Sequence, residues 1–125
     1  MSIIKDINLA PSGEMKINWV ERNMPVLRGI GRRFSEEKPF KGLKVALSVH
    51  LEAKTAYLCR VMEMGGAEMY VTGSNPLSTQ DDVAAALAAG GMNVFAEYGC
   101  TEQQYEDCLR EVLKIGPNII IDKGG

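Results

Sequence analysis

The chain has 125 residues, and 46% of them are hydrophobic, which suits one domain with an apolar core. The formal net charge is -2, from 14 basic and 16 acidic residues, so a nucleic-acid or anionic-membrane partner is not expected. The longest apolar stretch, Val83 to Ala96, is interrupted by glycines and is too short to span a bilayer. We therefore expect residues 1–125 to form a single domain.

The three cysteines show no metal-ligand spacing. The first residues lack the long apolar segment of a secretion signal. An odd cysteine count without such a signal predicts reduced thiols in the cytoplasm. Cys59 and Cys108 fall in predicted helices beside apolar residues, whereas Cys100 falls on a loop and is the thiol worth testing for reactivity.

Two helices are predicted before the first strand. Apolar residues at helical spacing predict a helix over Met15 to Asn23, with Ser12 as its cap. Pro25 interrupts this helix, and a second helical piece, capped by Asn23, runs to about Phe34. The residues before Pro11 are a polar, mixed lead.

Strands and helices alternate in the remainder of the chain. The predicted elements are a strand over Lys44 to Val49, a helix over Ala53 to Met64, a strand over Glu68 to Thr72, a helix over Asp82 to Ala89, a strand over Met92 to Ala96, a helix ending at Lys114 and a strand over Asn118 to Asp122. This alternation predicts right-handed crossovers and helices on both faces of a parallel sheet. The expected fold is α/β, a Rossmann-like three-layer parallel sheet of about four strands, preceded by N-terminal helices.

Two helices of this pattern are preceded by capping signatures. The segment from Ser78 to Asp81 predicts a cap for one helix, and the segment from Thr101 to Gln104 is a capping box for the last helix. The simplest interpretation of these polar residues is therefore that they cap helices.

Polar residues follow the strands at the edge where an α/β sheet binds ligands. If the order of the predicted strands is 3-2-1-4, strands one and four are neighbours. That order places His50 and Glu52 beside Asp122 and Lys123. The turn after strand one lacks the glycines of a dinucleotide fingerprint, so NAD is not expected to bind through that motif.

The sequence leaves structural roles open for the same residues. His50 at a strand end is a candidate cap for backbone groups. Glu52 and Lys54 are candidates for solvated charges at a helix start, where an acid suits the helix dipole. Asp122 and Lys123 are candidates for an ordinary strand-end pair.

Three blocks of sequence together resemble the N-terminal part of the S-adenosylhomocysteine hydrolase (adenosylhomocysteinase) family. The blocks stand in order over nearly the whole chain: residues 48–58, which include His50, Glu52, Lys54 and Thr55; residues 73–82, which include Ser78; and residues 121–125, which include Asp122 and Lys123. Residues 14–19, 23–25 and 38–39 match the family's opening helices.

The resemblance implies reversible cleavage of S-adenosylhomocysteine to adenosine and homocysteine, a reaction of one-carbon metabolism that uses tightly bound NAD. It implies that His50 is catalytic, near the reacting 4′ and 5′ carbons. It implies that the substrate-binding residues are Glu52, Lys54, Thr55, Ser78, Asp122 and Lys123. The Glu and Lys at positions 52 and 54 follow a branch of the family in which some members favour inosine over adenosine.

Two departures limit what the resemblance implies. Lys123 stands where the family has an active-site Asp, so a donor replaces a group that accepts protons. The family's NAD domain would follow after residue 125. We therefore expect a truncated or split segment that is inactive alone, binds no NAD by itself, and pairs with a complementing chain or with itself. The alternatives are a non-catalytic interaction or regulatory module and a small flavodoxin-like metabolite-binding domain.

Overall fold

The computed structural model describes residues 2–122, and these residues form one parallel sheet flanked by helices. The strands are β1 (Ile3–Ile4), β2 (Lys44–Ser48), β3 (Glu68–Thr72), β4 (Asn93–Ala96) and β5 (Ile119–Asp122). The helices are α1 (Ala10–Asn23), α2 (Pro25–Glu37), α3 (Ala53–Met64), α4 (Asp81–Ala89) and α5 (Glu102–Lys114), with a short 3₁₀ helix over Ile7–Leu9.

The strand order is β1-β4-β3-β2-β5, and for the four longer strands this is the order 3-2-1-4 that was considered for the predicted strands. The chain steps from β2 to β3 to β4 in one direction and then returns across the sheet to β5, on the far side of β2. Because crossovers are right-handed, a helix in a connection that moves one way across the sheet lies on the opposite face from a helix in a connection that moves the other way. The reversal therefore explains why α5 lies on the other face from α3 and α4.

Apolar side chains on the two faces of the sheet form two cores. The larger core joins α1, α3 and α4 to one face of the sheet, and Ile17, Leu47, Leu51 and Val94 are fully buried in it. The smaller core lies under α5 and includes Ala46, Tyr70, Phe95, Cys108 and Val112. This arrangement confirms the predicted parallel α/β fold with helices on both faces.

The N-terminal segment differs from the prediction. Residues 3 and 4 form an edge strand that pairs with Phe95 and Ala96, so the sheet has five strands among the described residues, not about four. The interval is too short to show any periodicity, and for that reason the sequence pattern missed it. Among residues 2–122, no helix is long and apolar enough to cross a membrane.

The predicted caps of the first two helices were wrong. Helix α1 begins at Ala10, and the Ser12 hydroxyl donates to Asp82 Oδ2 at 2.8 Å instead of capping the helix. The Asn23 side chain donates to the Trp19 carbonyl at 2.7 Å, one turn back along α1. Ser12 lies inside α1, two residues after its first residue, and Met24, not Asn23, directly precedes α2.

Candidate functional site

The strand order brings the ends of β2 and β5 together. Ser48, the last residue of β2, is in register with Asp122, the last residue of β5. All the strands are parallel, but the order in which the chain adds them reverses between β2 and β5. In open α/β sheets, ligands bind at the carboxyl ends of the strands beside such a switch in strand order. The residues that follow β2 and β3 therefore form the candidate site.

His50 follows β2 and contacts the loop that follows β3. Its Nδ1 atom lies 3.3 Å from the Ser74 hydroxyl, within hydrogen-bond distance. The Ser74 carbonyl in turn accepts a hydrogen bond from the Tyr105 hydroxyl of α5 at 2.8 Å. One ring nitrogen of His50 is thus engaged by the protein, and the exposed ring keeps Nε2 for another partner. Sequence reasoning missed Ser74 and Tyr105, because nothing local in the sequence links either of them to His50.

Ser78 organises the same loop and does not cap a helix, so that predicted cap was wrong. Its hydroxyl accepts hydrogen bonds from the backbone N–H groups of Ser74 and Asn75, at 2.9 and 3.0 Å, and donates to the Asn75 carbonyl at 2.9 Å. Helix α4 begins at Asp81 with no side-chain cap at Gln80. Ser78 therefore shapes the loop that carries the partner of His50.

The two loops are also joined through their backbones. The Leu51 N–H donates to the Ser78 carbonyl, and the Gln80 N–H donates to the Leu51 carbonyl, both at 2.9 Å. A Cβ atom at Gly73 would lie only 2.6 Å from the Thr79 hydroxyl oxygen and 2.9 Å from that of Ser78, so a larger residue would displace these side chains. These contacts hold the candidate site in one arrangement.

Glu52 is the N-cap of α3. Its Oε1 atom accepts from the Thr55 backbone N–H at 3.1 Å, and the Thr55 hydroxyl lies 3.5 Å away. The structural role considered for Glu52 at a helix start is thus present, and Thr55 is its direct partner. A carboxylate at a helix N-terminus also suits the dipole of the helix.

Glu52 and Lys54 share an open groove with α1. The groove has a volume of about 430 Å³ and is lined by Met15, Lys16, Trp19, Val20, Glu52, Ala53 and Lys54. Lys54 makes no hydrogen bond or ion pair with another of residues 2–122. The sequence pattern did not single out the α1 residues of this groove, because helical periodicity identifies the buried stripe and not the flank beside it.

Asp122 lies in a second cavity, on the α5 face of the sheet. This cavity of about 490 Å³ also contains Ser48, Thr72, Ser74 and Tyr105. The predicted substrate residues therefore divide between the groove and this cavity, with the loop around Ser74 between them. The expected proximity of His50 to Asp122 is supported only in that the strands before them, β2 and β5, are neighbours in the sheet. Lys123 lies outside the described residues.

The described residues do not fit a dinucleotide. In a dinucleotide-binding turn, backbone N–H groups at a helix N-terminus receive the pyrophosphate. At the corresponding place in this chain, the Glu52 carboxylate already accepts the Thr55 N–H, so a phosphate would meet a negative charge. Residues 2–122 also contain no group of three or more histidine, cysteine or acidic side chains suited to a metal ion.

The cysteines are poor nucleophiles in this fold. Cys59 and Cys108 are buried as predicted, and burial raises the pKa of their thiols to about 12 and about 11. Burial also raises the pKa of the loop thiol Cys100, and the nearby Glu97 and Asp81 carboxylates add to this effect. A raised pKa removes the reactive thiolate at neutral pH.

The fold and the site define a doubly wound α/β domain with a polar site at the point where the sheet reverses. The family model described as S-adenosyl-L-homocysteine hydrolase matches residues 1–125. The chain belongs to the S-adenosyl-L-homocysteine hydrolase family.

Relatives named for two different substrates have similar sequence identity to the chain. An adenosylhomocysteinase from Thermococcus kodakarensis is 54% identical over 121 residues, which cover 97% of this chain and 29% of the relative. An S-inosyl-L-homocysteine hydrolase from Methanococcus maripaludis is 52% identical over 124 residues, which cover 99% of this chain and 30% of the relative. The chain thus spans less than a third of the length of these curated relatives.

Proposed function

We propose that this chain forms the nucleoside-binding part of an enzyme that hydrolyses S-adenosylhomocysteine or S-inosylhomocysteine. The observation that carries the proposal is the turn after β2. It presents His50, Glu52 and Lys54 beside the sheet reversal, in a chain whose family is that of S-adenosyl-L-homocysteine hydrolase. The free thiols suit a reducing, cytoplasmic setting.

His50 is the proposed proton-transfer group. A general acid or base must be held in place and have one ring nitrogen open to substrate. The contact with Ser74 at Nδ1 supplies the first condition, and the exposure of the ring supplies the second. The family resemblance implies a position near the 4′ and 5′ carbons of the nucleoside, which supports this role for His50.

The oxidation step is proposed to belong to NAD in the complete enzyme, and we do not propose that residues 2–122 bind this cofactor by themselves. NAD would supply hydride transfer to and from the ribose in the complete enzyme. Glu52 occupies the helix start that a pyrophosphate needs, so no step through the cofactor is assigned to these residues. The proposal for this chain is nucleoside binding without turnover.

Lys54 is the residue proposed to favour an inosine base. Its ammonium has no partner among the described residues and is only a donor. The 6-oxygen of hypoxanthine is an acceptor, whereas the 6-amino group of adenine is a donor and would face the ammonium unfavourably. Relatives named for each of the two substrates match this chain, so the choice depends on such local contacts.

Thermal unfolding with and without ligands tests this function. Inosine, adenosine and S-adenosylhomocysteine are added separately, each at saturating concentration. A ligand at about 100 times its dissociation constant stabilises the native state by roughly 2.7 kcal/mol. For a domain of this size, the midpoint should rise by about 5 to 15 °C.

Matched lysine variants make this test specific. We expect Lys54→Ala to reduce the rise with inosine more than the rise with adenosine. Lys41→Ala, at another exposed lysine, should leave both rises unchanged. The absence of any rise with all three ligands in the unsubstituted chain would contradict the proposed function.

An interaction module is the second candidate, and one surface favours it. Beside α5, one face of β2 and β5 is only partly covered, so the side chains of Ile120 and Leu113 are 60% and 53% exposed. The outer edge of β5 pairs with no other strand among the described residues. Exposed apolar surface and a free strand edge both promote association.

Sedimentation at several protein concentrations tests this second candidate. A self-associating module should dimerise as concentration rises, and Ile120→Lys should shift it to monomer. Val26→Lys, at an exposed apolar residue of α2, is the matched control and should change nothing. A monomer at every concentration would remove self-association as a function of this surface.

A further inference from the structure

Trp19 lies in the groove between α1 and the start of α3. It is the chain's only tryptophan, and its side chain is 56% exposed, beside Met15, which is 74% exposed. Large apolar side chains are usually withdrawn from water. Two of them on one wall of a groove that also contains Glu52 and Lys54 point to a ligand with an apolar surface.

The polar side chains of the groove differ in how many of their hydrogen-bonding groups are already engaged within the protein. The Lys16 ammonium is engaged, because it lies 2.8 Å from Asp82 Oδ2 and 3.4 Å from Gln80 Oε1. Glu52 uses Oε1 to cap α3. Lys54 is unpaired among the described residues. A ligand would therefore meet one free ammonium and one carboxylate oxygen at the rim of an otherwise apolar groove.

A purine base matches this combination of groups. It has two flat faces that stack on aromatic side chains, and its edge carries a donor beside an acceptor. In hypoxanthine, Lys54 would donate to the 6-oxygen and Glu52 would accept from the adjacent N1–H. A phosphate or a carboxylate is a poor fit, because the Glu52 carboxylate would repel it. The volume of about 430 Å³ lies within the range of about 300–1,000 Å³ typical of small-molecule sites.

We propose that Trp19, on the α1 wall of the groove that also contains Lys54, stacks on the purine base of the substrate. This inference rests on the proposed function and adds a residue to it. Trp19 is then a binding residue that raises affinity for either base, because stacking does not depend on the 6-substituent. Discrimination between the bases stays with Lys54.

The fluorescence of Trp19 tests the proposal directly, because no other tryptophan contributes. Inosine and adenosine are titrated separately into the 125-residue chain with excitation at the red edge of tryptophan absorption. Calorimetry measures the dissociation constant of each nucleoside in parallel. The expected result is a saturable quenching of emission with the same dissociation constant as calorimetry.

Substitutions separate stacking from a passive change in emission. Trp19→Leu keeps an apolar side chain but removes the aromatic face, and it should weaken both nucleosides about tenfold. Trp19→Phe should recover most of this loss. Val26→Ala, at an exposed apolar residue outside the groove, should leave the affinity unchanged. Circular dichroism checks that each variant remains folded.

The outcomes distinguish this inference from the function on which it rests. If calorimetry detects nucleoside binding while Trp19 emission and the affinity of Trp19→Leu stay unchanged, the stacking role is wrong and the proposed function stands. If calorimetry detects no nucleoside binding, both are wrong. Loss of a dimer in Trp19→Leu without nucleoside binding would instead assign the groove to a second copy of the chain.

Discussion

Gly13 lies where α1 packs directly against the backbone of α4. A Cβ atom at this position would overlap the Asp82 carbonyl and would lie 2.8 Å from the Val83 nitrogen. These neighbours are backbone atoms and cannot rotate away. The absence of a side chain at Gly13 therefore sets the spacing of the two helices.

Gly13→Ala should destabilise the fold by at least about 2 kcal/mol, because overpacking forces the helices apart. Gly29→Ala is the matched control, since it adds the same methyl group in α2 with no atom within 4 Å. The control should be neutral or more stable by about 0.5 to 1 kcal/mol, from helix propensity. Urea unfolding measures both changes, and equal stability of the two variants would contradict the packing argument.

Asp82 joins α4 to α1 through polar contacts at the same place. Partial burial alone would raise the pKa of this carboxyl group. Hydrogen bonds from Lys16 and Ser12, the Lys16 charge and the Val83 N–H outweigh that effect and lower the pKa below its usual value. The ionised carboxylate is therefore the form that the fold stabilises.

This pKa shift predicts a dependence of stability on pH. Because the folded-state pKa is lowered, the stabilisation is complete above the unfolded-state pKa of about 3.9 and is lost as the pH falls through the folded-state value. Asp82→Asn should be less stable at pH 7 by about 1 to 2 kcal/mol and should lose less stability between neutral and acid pH.

Unfolding by urea at a series of pH values checks the Asp82 prediction. Glu36→Gln is the control, because Glu36 is exposed and has no hydrogen bond or ion pair with the described residues. Its stability curve should follow that of the unsubstituted chain. Parallel curves for Asp82→Asn and the unsubstituted chain would show that Asp82 has an ordinary pKa in the folded state.

At the scale of elements, the capping box of α5 was correctly predicted. The Thr101 hydroxyl accepts from the Gln104 N–H at 3.1 Å, and the Gln104 side chain accepts from the Thr101 N–H at 2.9 Å. Helix α5 is the single helix on its face of the described sheet. Its start therefore has no support from a neighbouring helix.

Thr101→Ala should destabilise the domain by about 1 kcal/mol through loss of this cap. Glu106→Ala is a suitable control on the same helix, since its pair with Arg110 is exposed and 3.9 Å long. The control should change stability by less than about 0.5 kcal/mol. Thermal unfolding measures both, and an unchanged midpoint for Thr101→Ala would show that packing alone fixes the start of α5.

The capping signature at Ser78 shows a limit of prediction from local sequence. Ser78 has the spacing of a cap, but its hydroxyl turns back to the N–H groups of Ser74 and Asn75. Local spacing cannot tell which of two nearby sets of free N–H groups a hydroxyl will satisfy. The polar residues after β2 and β3 were predictable as a site, whereas the link from His50 to Ser74 depends on tertiary structure.

The groove between α1 and α3 was also beyond the reach of local sequence patterns, although the strands were not. Strands of four or five residues and their order were predictable, because apolar runs separated by glycine and capping signals have few arrangements. Trp19 was not predictable as a wall of a groove. Its neighbours Glu52 and Lys54 belong to another element, and only the packing of α1 against α3 brings them together.

At the scale of the whole molecule, the switch in strand order forms the candidate site but offers no open helix start for a dinucleotide. The carboxyl ends of β2 and β5 are neighbours, but the helix start beside them is occupied by Glu52. We expect a chain with this arrangement to bind a nucleoside but not a dinucleotide.

The 125-residue chain should therefore retain no NAD after purification and should hydrolyse no S-adenosylhomocysteine. Absorbance and mass spectrometry of the denatured protein measure bound NAD. Nucleoside binding by the same preparation is the control for a folded site. Stoichiometric NAD in the protein would contradict the assignment of Glu52 as a barrier to pyrophosphate.

The pairing of β1 with β4 also has a consequence for how the protein is made. The Ser2 hydroxyl accepts from the Val94 N–H across 92 residues of chain, and Ile3 is in register with Phe95. At a translation rate of about 5 to 20 residues per second, Ile3 is synthesised roughly 5 to 20 seconds before its partner Phe95. The first strand of the sheet must then wait as free chain, and it docks only after β2, β3 and β4 have been synthesised.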